Sequence, residues 1–474
     1  MSEETRKNDR TKKKIKNKKK YEIDMCNGAI LPKLLAFTLP LMCSSVLQLL
    51  FNAADIIVVG SFAGDTALAA VGSNTALINL LTNFFLGLSI GANVLVARFY
   101  GAKAEEDVSD TVHTAMLLSI FSGIILTVVG CLGARQILIW MQTPEDVLPL
   151  ATIYLRIYFV GMTSMMIYNF GSAILRAVGD TKRPLYYLSA AGVINIGLNL
   201  LFVIVFRMSV AGVALATVIS ETISAGLVLR CMMREKGCIR LTLSNLKIHP
   251  GRFAEILRIG FPASLQGVIF AISNVIIQSS VNSFGSTIVA GNSAASNIEG
   301  FVYVSMNSFY QGTISFTSQN VGAGKYERVN KILFTAQACV IVTGLVLGNL
   351  AVLFGHDLLG FYTKSAAVKA AGMNRLKIIC TVYALCGIMD VMVGSLRGLG
   401  YSVMPTIVSL VGACGLRLLW IFTFFRMYER FHTPQSLYLT YPVSWLITIC
   451  AHVICFVIVR RKISRRFTEN SPAR

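Results

Sequence analysis

Twelve apolar stretches dominate this chain of 474 residues. Each is at least about 20 residues long, the length that an α-helix needs to cross the hydrocarbon layer of a bilayer. With 54% hydrophobic and only 14% charged residues, the chain has far more apolar surface than a soluble core of this size needs. We therefore predict an all-α integral membrane protein with twelve transmembrane helices, at 34–59, 68–97, 112–139, 148–174, 185–206, 210–232, 256–283, 289–319, 332–355, 366–394, 405–426 and 438–459.

The second half of the chain repeats motifs of the first half at an almost constant spacing. The stretch ILRAVGDTKRP at 174–184 returns as SLRGLGYSVMP at 395–405, and Pro40 in TLPLM has a counterpart, Pro262, in GFPASL. Parallel repeats related by an axis along the membrane normal are a known plan of transporters. The repeat predicts two equivalent bundles of six helices each, and therefore favours transport as the function.

Arginine, glycine and proline in the repeated motif indicate a tight turn between two membrane helices. We expect Arg176 and Arg397 to mark the cytoplasmic ends of equivalent helices, and Pro184 and Pro405 to begin the next ones. Proline at a helix start loses no hydrogen bond, because the first N–H groups have no partner within the helix. Pro40 lies inside the first predicted helix and is a candidate kink.

These patterns divide the chain into five parts. We predict a basic cytoplasmic tail at 1–30, a first six-helix bundle at 31–233, a cytoplasmic linker at 234–254, a second six-helix bundle at 255–461 and a basic cytoplasmic tail at 462–474.

Basic residues collect on one side of the predicted membrane. The tails and every second connection hold 33 of the 43 lysines and arginines, so the positive-inside rule places both termini in the cytoplasm. The net charge of +20 then belongs mainly to one membrane face. The run TKKKIKNKKK at 11–20 suits contact with anionic lipid better than a nucleic-acid arm, so we expect no nucleic-acid partner.

Motifs for catalysis or ATP hydrolysis are absent from the sequence. The segment GAGKY at 322–326 lacks the first glycine and the hydroxyl residue of a phosphate-binding loop. No zinc spacing or nucleophile elbow occurs, and the eleven cysteines form no C-x-x-C motif. We predict that the chain is not an enzyme, has no cofactor and takes its energy from an ion gradient.

Ionisable side chains within the apolar stretches are functional candidates, because a charge inside a membrane costs about 3 kcal/mol or more. Asp55 is the strongest, since Gln48 and Asn52 precede it at helical spacing on the same face. Other acids are less certain, because each can instead satisfy a helix terminus or an arginine. These other acids are Glu221, Glu299 and Asp390, with Arg156 and Arg417 as candidate basic partners.

Two further predicted helices carry polar faces. Asn195 and Asn199 lie one turn apart in the fifth stretch. Asn169, Ser172 and Arg176 lie at successive turns in the fourth. Such side chains must face protein or water rather than lipid, so the first half is predicted to enclose a polar pocket around Asp55. Asparagine, serine and threonine also join membrane helices by hydrogen bonds, which is the alternative for each taken singly.

Apart from its tails, the chain resembles the multidrug and toxic compound extrusion family. The motifs that carry this resemblance are PLMCSSVLQLLFNAADIIVVGSFAG from Pro40, ALAAVG, ARFYGAK, the twin LRAVG and LRGLG turns, and SQNVGAGK. The resemblance implies two six-helix bundles that face each other across a central cleft. It also implies export of organic cations and amphipathic drugs in exchange for H⁺ or Na⁺.

The resemblance also assigns candidate site residues. Asp55 occupies the position of the family's first-helix aspartate, with Gln48 beside it, and Na⁺ is one candidate occupant. Asn195, Thr217, Asn169 and Tyr154 resemble other pocket positions of the first bundle. The chain is closer to the DinF-like branch, but Asn199 stands where that branch often has a second aspartate, and Phe270 where the NorM-like branch has a glutamate.

We therefore predict an alternating-access antiporter that works as a monomer in a bacterial plasma membrane. The alternative is a flippase for lipids or lipid-linked oligosaccharides, which shares related architecture. A flippase is expected to place several basic residues in its cleft, and the sequence offers only Arg156 and Arg417.

Overall fold

The computed structural model describes residues 21–469, and within this range every regular element is a helix. The basic run predicted to contact lipid lies outside the described residues. The α-helices are α1 (Ile30–Phe62), α2 (Asp65–Gly101), α3 (Glu105–Trp140), α4 (Leu148–Val160), α5 (Met162–Ala177), α6 (Lys182–Leu200), α7 (Ser209–Arg234), α8 (Pro250–Asn282), α9 (Ser286–Gly322), α10 (Tyr326–Leu353), α11 (Gly355–Gly360), α12 (Ala366–Ile379), α13 (Ala384–Gly398), α14 (Val403–Ser409), α15 (Leu416–Trp420) and α16 (Pro434–Glu469).

Short helices of other types extend several of these. Three π-helical segments occur at Leu201–Val205, Leu410–Gly415 and Ile421–Phe425, and 3₁₀ turns at Leu243–Asn245, Cys380–Val382 and Glu429–Phe431.

The helices fit a membrane. In the described part of the chain, nine helices are long and apolar enough to cross a bilayer. Two bent pairs of helices, each counted as one span, bring the number of spans to eleven. The remaining predicted span, 289–319, coincides with α9, whose 37 residues are also long enough to cross, although α9 is richer in serine, asparagine and threonine. Large apolar side chains such as Leu132 and Leu353 are 79% and 74% exposed, as expected against lipid. The predicted all-α membrane fold is confirmed.

Two of the predicted spans are broken rather than continuous. Helices α4 and α5 meet at an angle of 45°, and the equivalent pair in the second half, α12 and α13, meets at 47°. In the first break, a Cβ at Gly161 would lie 2.9 Å from the side chain of Val218, so the junction packs closely on α7. The sequence predicted each pair as one span because apolar composition alone does not reveal a bend.

The repeated turn has the same backbone conformation in both halves. Gly179 and Gly400 each adopt a φ of +94°, which glycine tolerates because it has no Cβ. Pro40 and Pro262 lie inside α1 and α8, and both helices continue through them.

Backbone proximity divides the chain into two compact units. Among the described residues, the first comprises 21–73, 95–249 and 322–325, and the second comprises 74–94, 250–321 and 326–469. In the first unit α1 packs on α6, α3 on α4 and α5, and α7 on α4, α5 and α6. In the second unit α13 packs between α10 and α16, and α12 also contacts α16.

The segment before α1 is tied to several helix ends of the first unit. Tyr100 donates a hydrogen bond from its hydroxyl to Glu22 Oε2 at 3.0 Å, and Lys325 donates to the carbonyl oxygen of Cys26 at 3.1 Å. Arg183, at the start of α6, pairs with both Asp180 and Glu235, and its guanidinium lies 5.5 Å from the ring centre of Tyr21. These contacts join α2, α6 and the chain after α7 into one polar layer.

Candidate functional site

Close packing of α1 on α6 builds the candidate site in the first unit. Gly192 lies against the ring of Phe51, and a Cβ at Gly192 would come within 1.9 Å of that ring. One to two turns further along the two helices, the polar side chains Asp55, Asn195 and Asn199 lie side by side. The absence of a side chain at Gly192 therefore lets these groups reach each other.

Four side chains form what we call the Asp55 cluster: Asp55, Asn195, Asn199 and Thr217. Asn199 donates from Nδ2 to the carboxylate of Asp55, and the same amide group lies 3.2 Å from Asn195 Oδ1. Asn195 Nδ2 lies 3.5 Å from Thr217 Oγ1 on α7, and the Thr217 side chain also interacts with the carboxylate. One carboxylate thus joins three helices through amides and a hydroxyl.

The amides of the cluster are more deeply buried than its acid. Asn195 and Asn199 are 5% and 1% exposed, whereas Asp55 is half-buried. Asn199 Oδ1 is buried and accepts no hydrogen bond from any described residue. No lysine, arginine or histidine forms an ion pair with Asp55 in the described part of the chain.

The chemistry of the cluster suits a hard monovalent cation. Carboxylate, amide and hydroxyl oxygens are the ligands that such cations prefer. Within residues 21–469, no group of three or more histidine, cysteine, aspartate or glutamate side chains could hold a metal. A site with one carboxylate balances a single positive charge.

Two residues predicted to share the site, Gln48 and Asn52, lie on α1 near Asp55 in sequence, and their role stays a prediction. Gln48 and Asn52 are exposed, and neither makes a hydrogen bond to another described residue. Helical spacing places them on the same face of α1 as Asp55, and their side chains are not covered by the described residues.

Other first-unit candidates surround the cluster. Tyr154 on α4 is buried and stacks on Tyr158 with a ring separation of 6.1 Å. Tyr154 and Glu221 lie close enough to Asp55 to interact electrostatically.

The polar face of α5 is separate from the cluster. Ser172 is buried, whereas Asn169 and Arg176 are half-buried, and none of the three donates a hydrogen bond to the Asp55 cluster within the described residues.

Glu299 in the second unit is held in a buried ion pair. Its two carboxylate oxygens accept from Arg375 Nε at 2.8 Å and Nη2 at 2.7 Å. Arg375 Nη1 donates to Asn292 Oδ1 at 2.7 Å, and Asn292 donates to Gln278 at 2.9 Å. The sequence analysis missed Arg375, although a single arginine inside the apolar stretch 366–394 was a signal for it.

Asp390 and Arg397 lie on α13. Asp390 is half-buried and interacts with the hydroxyl of Tyr303. Arg397 is 3% exposed; it hydrogen-bonds Tyr310 and donates to Gln266 at 2.8 Å. The predicted turn residue therefore also joins α13 to α8 and α9.

The two arginines predicted as partners for the acids do not pair with them. Arg156 is exposed. Arg417 is buried and donates from Nε to Ser444 Oγ at 2.8 Å, and no carboxylate of the described residues lies within ion-pair distance of it.

Comparison with known proteins decides the family. The MatE family model matches the chain twice, at residues 40–201 and 262–423. The chain belongs to the MatE family. The two matches coincide with the internal repeat, and members of this family are transporters rather than enzymes.

Relatives and solved structures agree with this membership. The chain is 29% identical over 390 residues to the probable multidrug resistance protein YoeA of Bacillus subtilis, covering 81% of this chain and 84% of YoeA. It is 28% identical over 446 residues to the probable multidrug resistance protein YpnP of the same organism, covering 94% and 99%. A structure described as an outward-facing multidrug resistance MATE family transporter superposes with a TM-score of 0.85 at 21% identity, covering 94% and 98%. The chain is thus a multi-pass transporter of the multidrug and toxic compound extrusion family.

Proposed function

We propose that this transporter exports organic cations and other amphipathic compounds in exchange for H⁺ or Na⁺, with the Asp55 cluster as the ion site. The observation that carries the proposal is the contact between the Asp55 carboxylate and the amide of Asn199, in a cluster with no basic side chain. A buried carboxylate without a fixed cation is available to a mobile one. The names of YoeA and YpnP, probable multidrug resistance proteins, support drugs as the transported compounds.

The ion would act by changing the charge of the cluster. When H⁺ or Na⁺ binds from outside, it neutralises Asp55 and weakens the attraction for a cationic drug. The drug then leaves, and the protein reorients with its ion and later binds new drug from the cytoplasm. An ion that enters down 100 mV supplies about 2.3 kcal/mol, which corresponds to roughly fortyfold accumulation of a neutral drug in one-to-one exchange.

Side chains around the cluster would form the drug pocket of the first unit. Tyr154 and Tyr158 offer stacked aromatic surface beside the carboxylate, and aromatic faces bind organic cations. Asn169 and Ser172 are candidates for further polar contacts from α5. Asp390 is the remaining second-unit candidate, because Glu299 is already paired with Arg375.

The flippase alternative is not favoured. A carrier of phosphate-bearing lipids needs several basic groups in one site, whereas Arg375 is engaged by a carboxylate and Arg156 and Arg417 belong to different units.

Orientation and surroundings complete the proposal. The distribution of basic residues supports cytoplasmic termini in a bacterial plasma membrane. The N-terminal basic run would contact anionic lipid, and the transporter would act as a monomer.

The test is transport of a fluorescent organic cation by purified protein in liposomes, with a pH gradient and a sodium gradient imposed separately. The proposal predicts that one of the two gradients drives transport and thereby identifies the ion. A transport rate that changes with neither gradient would contradict ion-coupled antiport.

A further inference from the structure

Arg417 lies deep in a membrane helix of the second unit. It belongs to α15, a short α-helical segment flanked by the π-helical segments Leu410–Gly415 and Ile421–Phe425. At about 1.5 Å per residue, Arg417 is about 12 Å from the end of this span at Phe425. Its side chain is 3% exposed. Single-turn π-helices inside membrane or soluble helices frequently mark functional sites.

Helix α16 holds the guanidinium from one side. Gly412 brings the two helices together, since a Cβ there would lie 2.3 Å from Thr448 Oγ1. Arg417 Nε then donates to Ser444, and the guanidinium lies 4.1 Å from the ring centre of Tyr441 and 5.7 Å from that of Trp445. Another nitrogen of the guanidinium, Nη2, is buried and has no hydrogen-bond partner among the described residues.

The two buried arginines near Tyr441 differ in their partners. Arg375 lies 5.5 Å from the same ring, and its charge is neutralised by Glu299. Arg417 contacts two aromatic rings and one hydroxyl group, but no carboxylate of the described residues lies within ion-pair distance of it. A guanidinium stays protonated at any physiological pH, so its charge cannot be relieved by losing a proton. A charge placed there without a partner destabilises the fold, and such residues in membrane helices are functional by default.

We propose that Arg417 is a binding residue for the anionic group of an amphipathic ligand within the second unit. The guanidinium presents Nη2 to a carboxylate or phosphate oxygen, because a planar fork of N–H donors matches these groups. The side chains around the guanidinium are mostly apolar and aromatic, which suits the apolar part of such a ligand. They are Tyr383, Cys386, Cys414, Tyr441, Ser444 and Trp445.

The depth of Arg417 favours a free ligand over a membrane lipid. A lipid phosphate lies in the headgroup layer, whereas Arg417 is well inside its span. The ligand is therefore expected to be an amphipathic carboxylate or phosphate compound that reaches the membrane interior through the protein. This inference goes beyond cation export, and it can be tested without any ion gradient.

Trp445 offers a direct reporter, because the chain has only three tryptophans. In a Trp140→Phe/Trp420→Phe background, the remaining fluorescence comes from the ring beside Arg417. We would titrate the purified protein in neutral phosphatidylcholine nanodiscs with 4-nitrobenzoate and, as the matched neutral probe, 4-nitrobenzamide. Both nitroaromatic probes quench tryptophan, so saturable quenching measures binding.

The expected result is that the carboxylate binds at least tenfold more tightly than the amide. Arg417→Gln should abolish this preference, while Arg156→Gln, which changes an exposed arginine of the first unit, should retain it. Equal binding of the two probes to the parent protein, or an unchanged preference in Arg417→Gln, would overturn the proposal. The same titration in nanodiscs that contain phosphatidylglycerol tests a membrane lipid as the ligand. If this anionic lipid competes with 4-nitrobenzoate and abolishes its binding, the bound anion is a lipid phosphate, and the proposal of a free ligand is overturned.

Thermal unfolding provides a second readout. If Arg417 carries an uncompensated charge, Arg417→Gln should unfold at the same temperature as the parent protein or higher, and 4-nitrobenzoate should raise the Tm of the parent only. If Arg417→Gln fails to fold, the charge of Arg417 is compensated in the protein without ligand, and the proposal is overturned.

Discussion

The side-chain amide of Asn199 donates a hydrogen bond to the carboxylate of Asp55, across a sequence separation of 144 residues. This contact joins α1 to α6 in the first unit. Asn199 is also hydrogen-bonded to Asn195, which in turn is hydrogen-bonded to Thr217. A change in the charge of Asp55 therefore affects contacts on α1, α6 and α7. The contact is the basis of the proposed coupling between ion binding and helix rearrangement.

Removal of the Asn199 amide tests this contact. In Asn199→Val the carboxylate loses a donor, and a hydrogen bond to a charged group contributes about 1.5 to 3 kcal/mol. We expect the rate of drug export from cells to fall about tenfold while the protein remains folded. Asn349→Val, on the exposed side of α10, is the control and should export normally. Normal export by Asn199→Val would mean that the contact plays no part in transport.

The close approach of α1 and α6 gives a second prediction. Gly192→Ala places a methyl group against the Phe51 ring, so we expect separation of the helices and loss of most export. Gly197→Ala lies on the same helix with no atom within 4 Å of the new methyl group, and should behave like the parent protein. Phe51→Ala combined with Gly192→Ala should recover export, because the ring is no longer in the way. No recovery in this pair would show that Phe51 is not the obstacle.

Glu299 should matter for stability rather than coupling. Loss of one partner of a buried ion pair costs about 3 to 5 kcal/mol, so Glu299→Gln should lower the Tm in detergent markedly. The double variant Glu299→Gln/Arg375→Met should be more stable than Glu299→Gln alone, since it removes the charge left without a partner. A Glu299→Gln variant with unchanged Tm and no export would instead indicate a direct role in transport.

The stability of the polar layer before α1 should depend on pH through Glu22. Burial raises the pKa of Glu22 above its usual 4.5, although the hydrogen bond from Tyr100 opposes this. The folded protein then keeps a proton that the unfolded chain releases, so the contribution of Glu22 to stability falls as pH rises from about 4 through the raised pKa. Glu22→Gln keeps an acceptor for Tyr100 and cannot titrate.

The measurement is the Tm of both proteins between pH 4 and pH 8. The Tm of Glu22→Gln relative to the parent should increase with pH. Burial raises the pKa of Asp24, but hydrogen bonds outweigh this effect and lower the pKa overall. Because Asp24 is present in both proteins, its contribution to the pH dependence of the Tm cancels in the difference between them. A difference that is constant with pH, or that decreases, would contradict the assigned direction.

Much of the fold could be predicted because helix length and apolar composition are set by the bilayer. The predicted spans coincide with helices, and the twin turns at Gly179 and Gly400 share one backbone conformation. The bends at 45° and 47° could not be predicted, because they depend on packing against neighbouring helices rather than on local composition.

The candidate site was predictable in kind but not in detail. Asp55, Asn195 and Asn199 were found because charged and amide groups inside apolar stretches must face protein. Gln48 and Asn52 share the helical spacing of Asp55 but are exposed, because periodicity shows which side chains share a face and not which of them are covered by a neighbouring helix. The pairing of Glu299 with Arg375 required three-dimensional proximity across 76 residues.

The most direct test of the central claim compares the parent protein with Asp55→Asn in liposomes, using a fluorescent organic cation and the gradient that drives the parent. The amide keeps an oxygen for Asn199 but has no charge to bind the coupling ion. We expect Asp55→Asn to fold with a normal Tm and to show no gradient-driven transport. Full gradient-driven transport by folded Asp55→Asn would contradict the assignment of Asp55 as the coupling carboxylate.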